Sequence, residues 1–220
     1  VNAARVVATI RVKDEPADVV FAGVPLRAFV SVSASDQVRV FDPVARTQVA
    51  TVNIVGKDPR ALVADPTGTK VYALVHRSGN GTTVLKASQA PAPPAPTNLS
   101  LPAAPQTGLI VQASSPTWAS IINFTLPDND VVEINATTFA ITRSFTGVGT
   151  ILFDAAVDPA TGDLFVANTE ARNLVRFEPA VKGHAIDSRV TRIVPSTTPV
   201  VTPIDLNAGD SFLDDSFSGF

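Results

Sequence analysis

Cysteine is absent from all 220 residues of this chain, and so is methionine. Without a thiol there is no disulfide, no thiolate metal site, no cysteine nucleophile and no covalently attached haem within this stretch. The absence of thiols does not by itself identify a compartment. Only two histidines occur, His76 and His184, and neither has companion ligands at a diagnostic spacing. Ordinary packing or surface roles suit them better than a zinc site. Neither HExxH nor GxSxG is present, so zinc-protease and serine-hydrolase readings have no support. No apolar run approaches the 18 residues of a membrane-spanning helix. Net charge is −3 and the 17 Lys and Arg residues are dispersed. No basic stripe is left to neutralise phosphates, which argues against nucleic-acid binding.

What the chain does contain is a repeat. QVRVFDPVARTQVATVNIVGKDPRALVADPTGTKVYALV begins at Gln37, and a diverged copy, ILFDAAVDPATGDLFVAN, begins at Ile151. Ala8-Thr9 recurs as Ala50-Thr51, an offset of 42, and Pro16 recurs as Pro59, an offset of 43. Asp65-Pro66 recurs as Asp158-Pro159 after 93 residues, and Phe41-Asp42-Pro43 as Phe177-Glu178-Pro179 after 136. These are one, two and three steps of roughly 42 to 46 residues, the length of a four-stranded propeller blade. Such a unit cannot bury its own apolar faces and must share a core with its neighbours.

Within the repeat, Val38 to Phe41 and Val49 to Val52 place β-branched residues largely at period two, as a sheet with one covered face requires. Val71-Tyr72-Ala73-Leu74-Val75 is continuously apolar, as expected for a strand sandwiched between neighbouring blades. Asp65-Pro66-Thr67-Gly68 and Asp158-Pro159-Ala160-Thr161-Gly162 read as turns: Asp accepts a backbone N–H, Pro presets φ, and Gly takes a positive φ. No window of a dozen residues keeps a helical period, and 18 prolines are scattered through the chain.

The expected fold is therefore all-β: a propeller of four-stranded antiparallel blades, about four of them plus an orphan strand over Arg5–Val12, forming part of a larger ring. Residues 1–197 are assigned to blades and 198–220 to a C-terminal tail or the start of a following segment. The first blade covers 16–55. The second takes 61–64, 70–76 and 82–86 before a Pro/Ala-rich loop inserted at 90–105. A degenerate blade over 108–147 holds strands 118–124, 130–134 and 139–145. The last, 150–195, holds 151–157, 163–167, 173–177 and 189–194. An opening without Met and an unpaired first strand lead to the expectation of a processed or excerpted chain.

Pro59 to Val75 and Val38 to Val52 resemble the two halves of the YVTN-type propeller repeat, and Val157 to Pro179 also resembles an NHL repeat. The resemblance covers 5–86 and 150–195 well and the middle loosely. It implies a propeller fold and, with the Pro- and Ser/Thr-rich composition, an exported protein of the periplasm or cell surface in a bacterium or archaeon. It implies no single activity, because such propellers include surface-layer proteins, binding modules, lactonases and redox-enzyme subunits.

Three residues are candidate metal ligands. In lactonase-type relatives an Asn at a comparable loop binds a divalent cation, and Asn168 occupies that position here. Asp128-Asn129-Asp130 is an oxygen-rich turn that would suit a hard cation such as calcium, although Pro127 before it also marks a plain hairpin. Shaping a turn is the commoner use of both motifs. Asp205, Asp210, Asp214 and Asp215 make the tail acidic, and Phe212, Phe217 and Phe220 suit docking onto an apolar surface. No catalytic residue and no cofactor other than that cation is identifiable. The expected function is a non-catalytic exported scaffold or protein-interaction domain, whose partner is another protein or the remaining blades of a larger chain. The alternative is the propeller module of a periplasmic enzyme, either a metal-dependent lactonase-like hydrolase or a redox subunit.

Overall fold

The computed structural model describes residues 6–78, 81–93, 95–96, 98–103, 105–122, 128–171 and 186–207. The chain divides into two compact units. The first comprises 1–78, 129–170 and 188–206, and the second 79–128, 171–187 and 207–220. Regular structure is antiparallel β throughout, and among the described residues there is no α-helix, only two single-turn 3-10 segments. The all-β, propeller-like class holds. The division into blades differs from expectation.

Three four-stranded meanders make up the first unit. β1 (Pro16–Ala22), β2 (Arg27–Val32), β3 (Gln37–Asp42) and β4 (Thr47–Asn53) pair in chain order. The second meander begins with β5 (Lys57–Ala64) and β6 (Lys70–Arg77). Its remaining strands are β9 (Val131–Asn135) and β10 (Ile141–Phe145). The third runs β11 (Ile151–Val157), β12 (Leu164–Ala171), β13 (Ile186–Val194) and β14 (Val200–Asp205). A single pairing, Ile151 with Arg77, joins the second and third into one sheet.

The second and degenerate blades read from the sequence are thus one meander interrupted by 79–128. The physical reason lies in Val131-Val132-Glu133-Ile134. A third strand here must offer apolar side chains to both faces: Val132 and Ile134 enter one core and Val131 the other. The segment expected in that role, 82–86, forms β7 (Thr82–Leu85) and pairs instead with β8 (Leu109–Gln112) in the second unit. There Val84 stays exposed while Leu85 and Val111 are buried. Trp118 closes a 3-10 turn at Pro116–Trp118 rather than opening a strand. Phe139 takes a left-handed φ of 62° in the turn before β10. Val6–Val12, the expected orphan strand, belongs to no sheet. Residues 173–177 lie outside the described residues. The stretch from 198, expected to be a tail, opens with β14, which completes the third meander by pairing residue for residue with β13.

Two apolar cores lie between the meanders. Phe29, Val38, Val40 and Val52 of the first pack on Leu62, Val71, Ala73 and Ile134 of the second. On the other face of the same strands, Ala61, Tyr72, Leu74 and Val131 pack on Leu152, Leu164, Val166 and Ile193 of the third. Successive residues of β6 therefore enter opposite cores, which is why its apolar run is continuous. In the second unit Gln106 Nε2 donates to the carbonyls of Ala87 (2.7 Å) and Ala90 (3.0 Å), anchoring the Pro/Ala-rich loop.

Candidate functional site

Up-and-down connectivity sorts the connections of the first unit to two ends. One end carries the tight turns within each meander, and they close themselves through short polar side chains. Asp42 Oδ1 accepts the N–H groups of Val44 and Ala45, both at 2.8 Å. Asp65 Oδ1 accepts Lys70 N–H at 2.7 Å, and Asp158 Oδ1 accepts Ala160 N–H at 2.8 Å. Asn135 Oδ1 accepts Thr137 and Thr138 N–H at 2.9 and 2.8 Å. Backbone N–H donation, from Ala45 to Asp42 and from Ala160 to Asp158, holds both carboxyl groups below the usual carboxylate range.

The opposite end carries the β2–β3, β6–β9 and β12–β13 connections and the crossings from one meander to the next. Glu15, Asp36 and Asp58 all adopt left-handed backbone there, with φ of 58°, 52° and 59°. Asp36 Oδ1 accepts Asp58 N–H at 3.1 Å, and Asp36 Oδ2 pairs with Lys57. Arg77 Nε lies 2.7 Å from Asp58 Oδ2, and Arg60 Nη2 lies 3.3 Å from Glu15 Oε1 and 4.0 Å from Asp58 Oδ2. The result is one row of alternating charge, buried at Asp58 and exposed at Lys57, Arg77 and Glu15. Burial alone would raise the Asp36 carboxyl; the Lys57 ammonium and the Asp58 N–H outweigh it and hold the group low.

Two of the three candidate ligands, Asp130 and Asn168, meet at this end around the loop 147–150. Asp130 is fully buried; one oxygen accepts the Ser78 hydroxyl, and the other accepts Val148 N–H at 2.6 Å and Gly149 N–H at 3.4 Å. Asn168 Nδ2 donates to Thr191 Oγ1 at 2.8 Å and to Val166 O at 3.0 Å, while its Oδ1 accepts Arg189 Nε at 3.4 Å. Arg189 Nη2 and Thr191 Oγ1 both donate to Val148 O at 2.9 Å, and Arg189 also reaches Glu170 Oε2 at 3.0 Å. Asp130 thus holds the N–H side of the loop and the Asn168 group its C=O side. A Cβ on Gly149 would sit 2.4 Å from Asn168 Oδ1, so only glycine fits between them. Asp128, half-buried, precedes this stretch. Among the described residues no three His, Asp or Glu side chains are grouped so that they could hold a metal ion. His76 Nδ1 lies 2.9 Å from Leu152 O, and its ring meets the edge of Phe153 at 6.0 Å. His184 and the acidic, Phe-rich segment from 208 lie outside the described residues.

One buried charge escaped sequence reasoning because it sits in an apolar strand. Glu133 is 3% exposed and accepts Arg143 Nε and Nη2 at 3.0 and 2.8 Å, Thr142 Oγ1 at 2.6 Å and Lys70 Nζ at 3.3 Å. Burial pushes its carboxyl up, but the Thr142 hydroxyl and the Arg143 guanidinium prevail and hold it low. Burial, and then the Glu133 charge, raise the neighbouring Tyr72 hydroxyl. Arg143 in turn donates to Pro195 O (2.7 Å) and Ser196 O (2.5 Å), tying the second meander to the third. An isolated charged residue inside VVEIN, four apolar or amide neighbours around it, was the available signal.

No family model and no curated protein matches the chain. Among solved structures it is similar to the hydrazine synthase of Kuenenia stuttgartiensis, with 16% identity over 92% of this chain and 57% of that one, at a TM-score of 0.41. It is also similar to a 6-phosphogluconolactonase-like protein of Bacteroides uniformis, with 13% identity over 84% of this chain and 40% of that one, at a TM-score of 0.44. The chain thus spans less than two thirds of either neighbour. At these scores neither likeness assigns a family or a reaction. The fold itself, three antiparallel meanders sharing two cores, is propeller-like. No helix among the described residues is long and apolar enough to cross a membrane.

Proposed function

We propose that this chain is a non-catalytic interaction scaffold, a YVTN-type propeller domain of an exported protein, which binds a protein partner through the connector end. The observation that carries this reading is the use made of polar groups there. Asp130 and Asn168 are engaged in clamping the backbone of 147–150, not aimed together at open space. What the end presents outward is three cations and one anion, Arg60, Arg77, Lys57 and Glu15, with side chains between 43% and 73% exposed. Exposed charges of both signs steer encounter and set register more than they add affinity, as a protein-recognition rim does.

A photo-crosslinking side chain at Lys57, compared with one at Thr67 on the turn end, tests this in the organism that makes the protein. Adducts of defined mass from position 57 and none from 67 are expected. Equal yields from both ends, or none, would remove the connector end as the binding surface. Lactone hydrolysis by the purified chain that depends on added calcium or zinc would replace the scaffold by the enzyme reading.

A further inference from the structure

The repeat places one aromatic side chain at the same step of each second strand: Phe29, Tyr72 and Phe165, following Arg27-Ala28, Lys70-Val71 and Asp163-Leu164. All three point forward, toward the next meander. Phe29 is 0% exposed against the second meander and Tyr72 1% exposed against the third, whereas Phe165 is 36% exposed. The backward faces show the mirror pattern. Leu62 of β5 is 2% exposed beneath the first meander, and its equivalent in β1, Val19, is 49% exposed. Phe21 beside it is also exposed. Among the described residues, one forward face and one backward face of the same repeated interface therefore have no meander packed on them.

The backward face of the first meander is a groove of about 290 Å³, walled by Val19, Phe21, Val30 and Phe41 and, along one side, by Val7 and Ile10 of the N-terminal segment. Among the described residues Arg46 is its one charged lining residue. Such a lining suits an apolar side-chain surface rather than a charged small molecule. The two internal interfaces define what a backward face accepts: a forward sheet face carrying an aromatic ring. The third meander displays that face.

We propose that the occupant of the groove is a second copy of this chain. The forward face of its third meander, with Phe165, seats on the backward face of the first, and the contact is made twice. Head-to-tail contacts either close or grow without limit. Closure at two copies joins the three described meanders of one copy to the three of the other, and six lies within the four to eight blades of closed propellers. Both flanks are separate from the connector end, so the pairing stands whatever that end binds.

Light scattering on the full chain, from about 1 to 100 µM, tests the pairing at concentrations where interfaces of ordinary size assemble. A mass twice the 22.9 kDa of one chain is expected. Phe165→Asp and Phe21→Asp, each made at an exposed site, should leave the circular dichroism unchanged. Each should weaken dimerisation by at least about tenfold, as loss of a central aromatic contact does. Mixing the two variants restores one intact contact, Phe165 of one copy against the Phe21 groove of the other, and should return a weaker dimer. A single-chain mass at the highest concentration, open-ended assemblies, or a dimer indifferent to both substitutions would overturn the proposal.

Discussion

The second and third meanders are built on nearly the same words, KVYALV and DLFVAN, yet they meet different surroundings. In the second, Tyr72 and Leu74 enter one core while Val71, Ala73 and Val75 enter the other. In the third, Leu164 and Val166 are buried, whereas Phe165 and Ala167 face away from the shared core and are exposed. The contrast teaches that the length of an apolar run in this repeat records how many neighbours a strand has. Where β6 has a meander on each side it is apolar without interruption. Where β12 has one, alternation returns, and its end carries Asn168, Thr169 and Glu170. Glu170 accepts from Thr150 and Arg189, while Asn168 bonds Arg189 and Thr191, which reach the loop through Val148 O.

The largest way to break that contrast is to empty the doubly packed strand. Leu74→Ala should lower unfolding free energy by about 3 to 4 kcal/mol in urea titration, since a fully buried leucine leaves a cavity between two sheets. Glu133→Gln should cost about 3 kcal/mol, because it leaves the Arg143 guanidinium without its buried charge partner. The same variant sharpens a pH prediction. The Glu133 carboxyl is held below its ordinary value near 4.3, so its stabilisation is fully present above that pH and is lost as pH falls through the lower folded value. Acid melting of Glu133→Gln should therefore show a shallower fall below about pH 4 than the parent chain. An equal slope would mean that this carboxylate does not couple to folding.

Smaller effects separate two glycines of the third meander. Gly149→Ala forces a Cβ against Asn168 Oδ1 and should cost about 2 kcal/mol by urea titration. Gly162 has a positive φ of 79° and open space around it, so Gly162→Ala should cost only about 1 kcal/mol of backbone strain. If the order is reversed, the clamp around 147–150 is looser than its hydrogen bonds indicate. Least of all, Val49→Thr on the exposed side of β4 should fall within about 0.5 kcal/mol of the parent.

Local rules reached far into this molecule. The period of the repeat, the alternation in β3 and β4, the unbroken run of β6 and the Asp turns at 65 and 158 all appear where residue spacing placed them. Each depends on backbone geometry a few residues long, which side-chain type controls directly. The candidate site was less legible. Asp130 and Asn168 were singled out as oxygen donors, and they do converge, but on a backbone loop held between them. Glu133 gave only the faint signal of a charge inside an apolar strand.

Strand period, turn chemistry and an all-β, shared-core architecture followed from the sequence alone, because they answer to interactions between neighbours along the chain. Which strand completes a meander did not. Thr82–Leu85 and Val131–Asn135 both have strand composition, and only the need to fill two cores at once put the second beside β6 and sent the first into a hairpin with Leu109–Gln112. Burial is a property of the assembled faces, so tertiary packing alone decided that choice.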